Sequence, residues 1–139
     1  MKLRLEINNQ ENNSLSKKYF EDVILKTVEM SKVKLSGKMD ISLAIVSEKE
    51  IKRINGIYRK KNEVTDVLSF SDYSGNDRRD IFCELIVCFP YVSKAAKEDK
   101  VALKKEMAYV ISHGVLHCIG FNHSKKMYEI QDNICQKIK

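Results

Sequence analysis

The chain has 139 residues, of which 43% are hydrophobic and 32% charged, with a formal net charge of +6. This length fits one domain spanning residues 1–139, and a domain near that size buries roughly 70% of its unfolded surface, enough for a core without staples. No apolar run approaches the roughly 20 residues of a bilayer span, and the opening MKLRLEINNQENN lacks the apolar core of a secretory signal, so a cytoplasmic protein with no membrane partner is expected.

Alternation in KLRLEI (2 to 7) sets Leu3, Leu5 and Ile7 on one face and charges on the other, the pattern of a half-buried strand. Residues 14 to 33 carry Leu15, Tyr19, Val23, Leu25, Val28 and Met30 at mostly helical intervals and predict a first helix. MDISLAIV (39 to 46) reads as a second strand. SEKE then places Ser47 three residues before Glu50, a capping box in which each side chain satisfies a backbone donor of a helix ending near Arg59. VLSF (67 to 70) and CELIVCF (83 to 89) are strand-like, and SDYSGNDRRDI between them exceeds the usual hairpin loop of about 2 to 5 residues. That connection is a candidate mobile or substrate-facing loop.

From Pro90 the period changes to 3.6. The only proline suits a first helical turn, predicting a helix over 90–98. Apolar residues then recur at three- and four-residue steps from Ala102 to Gly120, and Met127, Ile130, Ile134 and Ile138 mark an amphipathic C-terminal helix. The expected class is α+β: one mixed β-sheet packed against several helices, with strand order left open.

Four cysteines, Cys83, Cys88, Cys118 and Cys135, form no CxxC pair, which excludes a cysteine-rich zinc ribbon. Three lie in apolar runs and are expected to pack as small reduced hydrophobes. The positive charge favours a polyanionic partner, although Lys and Arg spread from Lys2 to Lys139 also describe an ordinary solvated surface.

HGVLHCIGFNH (113 to 123) contains all three histidines of the chain. Residues four apart share a helix face, so His113 and His117 can approach one ion. Gly120 stands where the apolar period stops and suits a left-handed helix end, after which His123 can return to the same point. Three imidazoles about 2.0 to 2.1 Å from one Zn2+ ion with an open fourth position form the catalytic type of zinc site. A closed structural site would need a fourth ligand. Cys118 points about 100° away from His117, so only the distant Cys83, Cys88 or Cys135 could supply it. Imidazole also suits Ni, Cu and Fe, and zinc is chosen on availability and geometry.

HxxxHxxGxxH is also the spacing of metzincin proteases, whose glutamate follows the first histidine. Here Gly114 occupies that position. Proteolysis is therefore not expected, and the missing side chain predicts room beside the ion for a bulky ligand.

HGVLHCIGFNH further resembles the HGxLHLxGYDH signature of the YbeY family, bacterial metal-dependent endoribonucleases of ribosomal RNA maturation. INGIYRKKNEVTDVLSF (54 to 70) is similar to the family stretch in which an Asn and an Arg precede TDVLSF, and CELIV and MYEIQDNI add weaker matches from about residue 40 onward. Asn122 stands in place of the usual Asp, Cys83 in place of Gly, and Val64 and Ser71 in place of prolines flanking the strand. The resemblance implies cleavage of single-stranded ribosomal RNA, with the ribosomal subunit or its assembly proteins as possible partners. It also marks Arg59 as the catalytic candidate, because a guanidinium fork can hold two phosphate oxygens as charge develops. Lys60 and Lys61 are generic phosphate contacts or solvated charge. Two alternatives stay open: an RNA-binding assembly factor with a structural metal, and a metal hydrolase of a small phosphorylated substrate.

Overall fold

The computed structural model describes residues 1–73 and 80–138. Four strands and five helices follow one another among these residues: β1 (Lys2–Asn9), α1 (Lys17–Ser31), β2 (Lys38–Val46), α2 (Glu48–Arg59), β3 (Val67–Ser71), β4 (Ile81–Cys88), α3 (Phe89–Asp99), α4 (Leu103–Cys118) and α5 (Lys125–Lys137). The sheet order is β1-β2-β4-β3; β1, β2 and β4 are parallel, and only β3 runs antiparallel, against β4. This is the expected α+β architecture with a mixed sheet. The long connection predicted between β3 and β4 falls mostly on residues 74–79, outside the described residues.

Period-two patterning divides β4 between two cores. Ile81, Cys83, Leu85 and Val87 join the main core with Ile41 and Leu43 of β2, under Phe20 and Ile24 of α1 and Met107, Ile111 and Val115 of α4. Ile86 and Cys88 face the other way and meet Val46, Leu68 and Ile51 of α2 in a smaller cluster. α2 thus covers only the end of the second face near Cys88, and at the other end of β4 Phe82 stays 49% exposed.

Local signals set the helix limits. The hydroxyls of Ser16, Ser47 and Ser124 accept from Tyr19, Glu50 and Met127 backbone N–H groups and start α1, α2 and α5. At α2 the second arm of the expected capping box is replaced: the Glu50 carboxylate accepts two bonds from Arg53, at 3.1 and 2.5 Å. α1 is shorter than predicted because Lys32 turns left-handed, at φ 61°. The strand expected to reach residue 89 ends at Cys88, since Pro90 fits the first turn of α3 and draws Phe89 into the helix. No described helix is long and apolar enough to cross a membrane.

Candidate metal centre

α4 ends in a turn that both stops the helix and returns the chain. Gly120, at φ +97°, donates to the His117 carbonyl at 3.1 Å, and Phe121 donates to the Leu116 carbonyl at 2.9 Å, a Schellman pair of bonds. The reversal brings His123 to the face carrying His113 and His117. One ligand nitrogen from each ring lies within 4.8 Å of the others. Among the described residues no fourth histidine, cysteine or carboxylate joins this group.

The hydrogen bonds assign the protons. The Gln131 side-chain amide donates to the Tyr109 carbonyl at 3.1 Å, so its oxygen faces His113 Nδ1, which donates at 3.3 Å. His117 Nδ1 donates to the Phe121 carbonyl at 2.9 Å. Both Nε2 atoms are therefore proton-free in the neutral rings, yet they lie 3.1 Å apart. Two lone pairs that close repel unless a cation sits between them, so this donor set fits a divalent metal. Burial first, then the facing His113, then His123 and Arg59 hold His117 below the usual histidine range, against the opposing Phe121 bond.

Gln131 was not among the residues singled out from sequence. It is fully buried on α5 between Ile130 and Ile134, and a polar residue on an apolar helix face was the available signal. Gln131→Leu should weaken metal affinity about 10- to 100-fold by freeing the His113 ring to turn; competition against a chromophoric chelator measures this.

Two expectations are corrected by how α4 lies on the sheet. Gly114 does not leave space beside an ion: a Cβ there would stand 2.8 Å from Leu85 Cδ2 and 3.3 Å from Val67 Cγ2. The glycine serves close helix–sheet packing. One helical turn on, Cys118 meets Cys83, two residues back along β4, and the two form a disulfide at a Cα separation of 6.2 Å. Four helical residues advance about 6 Å and two strand residues about 6.6 Å, so the contacts at Gly114 and Cys118 keep step. This register, invisible in the sequence, overrides the expectation that all thiols stay reduced; Cys88 and Cys135 remain free. Gly114→Glu should consequently act on stability, forcing an unpaired carboxylate into packed side chains. A loss of more than about 3 kcal/mol in urea unfolding is expected, against about 1 to 3 kcal/mol for Gly114→Ala, whose Cβ alone already crowds Leu85.

The histidines open on a cleft of about 660 Å³ whose opposite wall includes Asn55, Arg59, Lys61 and Ser69. Asn55 holds that wall in place: its side-chain amide donates to the Glu63 carbonyl at 3.1 Å, while its backbone carbonyl accepts from Lys61 N–H at 3.2 Å. Arg59, the last residue of α2, donates from Nη2 to the Ser69 carbonyl at 2.7 Å and lies 4.9 Å above the Phe70 ring. The two lysines separate. Lys61 lines the cleft, whereas Lys60 is the left-handed cap of α2. Ser71, in the position of a flanking proline, donates to the Cys118 carbonyl at 2.8 Å and ties β3 to the end of α4.

The chain is similar in sequence to proteins named Endoribonuclease YbeY. That of Thermosipho melanesiensis is 33% identical over 127 residues, covering 86% of this chain and 89% of the relative. That of Thermotoga petrophila is 34% identical, covering 85% and 79%. A target protein of Thermotoga maritima solved in solution superposes with a TM-score of 0.62 at 29% identity, over 96% of this chain and 87% of that one. The sequence model described as Endoribonuclease YbeY matches residues 6–139, extending the likeness through the first strand and helix, and the chain belongs to that family.

Proposed function

We propose that the protein is a metal-dependent endoribonuclease that cuts single-stranded RNA in the maturation of ribosomal RNA, in the cytoplasm, with one Zn2+ held by His113, His117 and His123. The observation carrying this reading is the pair of proton-free Nε2 atoms, 3.1 Å apart, opening on a cleft bordered by Arg59 and Lys61. Membership of an endoribonuclease family supports RNA as the substrate. Ribosomal RNA as substrate makes the ribosomal subunit or its assembly proteins the expected partners.

An ion in this site supplies Lewis acidity toward a phosphodiester oxygen. The protein's own groups do the rest. Gln131 and the Phe121 carbonyl fix two ligand rings, and Lys61 attracts the strand by charge. Arg59, anchored on Ser69, turns the remainder of its guanidinium fork to the phosphate as charge builds on its oxygens.

The test combines metal analysis with cleavage of a single-stranded RNA before and after chelation and metal return. Cleavage is expected to vanish on chelation and recover with zinc, and the chelated protein should unfold more readily because metal binds only the folded chain. Retained cleavage without metal defeats the proposal, and bound metal without cleavage favours an assembly factor. Protonation competes with ligation, and the lowered His117 keeps its ring neutral at more acidic pH than a free imidazole. Metal retention should therefore hold through neutral pH and fall as acidification passes below the ordinary histidine range; equilibrium dialysis across a pH series checks this.

A further inference from the structure

Tyr58 is 66% exposed at the end of α2, an unusual position for a large ring. The ring is nonetheless held: its centroid lies 5.6 Å from that of Phe70, at an interplanar angle of 64°. Phe70 in turn carries the Arg59 guanidinium over its face. Through Arg59 and Ser69 this ledge is continuous with the wall of the cleft. Its surroundings are cationic, with Lys52, Lys60 and Lys61 exposed nearby in sequence, while Arg53 is paired with Glu50. An apolar protein partner would have to strip water from those charges, whereas a polyanion gains from them.

We infer that Tyr58, backed by the Phe70–Arg59 pair, is a stacking seat for one unpaired nucleobase of the RNA strand entering the cleft. This rests on the endoribonuclease reading and adds to it a means of selecting single strands, since only an unpaired base offers its face to a ring. Arg59 links the two functions: its guanidinium adjoins the aromatic ledge over Phe70, and its remaining N–H groups are free to turn to the phosphate.

The experiment uses the full chain with its metal and two single-stranded 2′-O-methyl oligonucleotides of equal length, one with bases and one abasic throughout. The unmodified protein should prefer the base-bearing strand by about 5- to 100-fold in Kd, and Tyr58→Ala should collapse that preference while Tyr58→Phe keeps it. Affinity for the abasic strand and its salt dependence should be the same in all three proteins, because no phosphate contact is altered. A preference unchanged in Tyr58→Ala overturns the stacking seat and leaves the endoribonuclease reading standing. Failure of the unmodified protein to bind either strand sinks both.

Discussion

His117→Ala is expected to abolish metal retention and RNA cleavage together. Displacing a group that merely orients a ligand costs about 10- to 100-fold in affinity, so removing a ligand nitrogen should cost more. The site has no substitute to offer, because among the described residues no further donor lies within reach of the other two rings. His113→Ala and His123→Ala should behave alike. A specific check separates lost metal from lost fold: chelation should lower the melting temperature of the unmodified protein but leave that of His117→Ala unchanged, as linkage requires when nothing binds. A variant that cleaves RNA normally without measurable metal would remove the metal from the mechanism.

Arg59→Ala should lower kcat by about 10² to 10³, the cost of removing one preorganised donor from a developing oxyanion. Arg59→Lys should already be harmful. An ammonium keeps the charge, but it cannot sit over Phe70, hold the Ser69 carbonyl and present a planar fork at once. Loss of a contact made in the transition state lowers kcat and kcat/KM together, whereas loss of general attraction mainly raises KM. Lys61→Ala, on the cleft wall, should show the second behaviour, and Lys60→Ala, on the helix cap, a smaller change. Single-turnover cleavage at saturating enzyme decides this; an unchanged rate for Arg59→Ala would reduce it to a surface charge.

What could be read from the sequence was local. HGVLHCIGFNH carries the helix face, the stopping glycine and the returning histidine within residues 113–123, so the geometry of the three rings follows from short-range rules. The same holds for the serine caps and for Pro90. Contacts between distant segments were not legible. That Leu85 fills the space at Gly114, that Cys83 meets Cys118, and that Gln131 orients His113 all depend on the register of α4 against β4 and α5. No single segment encodes that register. Gly114 shows how such a gap misleads: from sequence its missing side chain predicts room beside the ion for a bulky ligand, while the space is filled by Leu85, 29 residues earlier in the chain.

β3 is one of the two edge strands of the sheet, and its residues line the cleft. A bare sheet edge is a template on which any extended chain can add itself, the usual route to association between copies. On the endoribonuclease reading proposed above, that edge has to stay open to the substrate. The protein keeps the edge short, at five residues, and occupies the Ser69 carbonyl with a guanidinium. Arg59 thereby discourages the wrong polymer from pairing with the strand, and its loss would show in the solubility of the protein as well as in its rate.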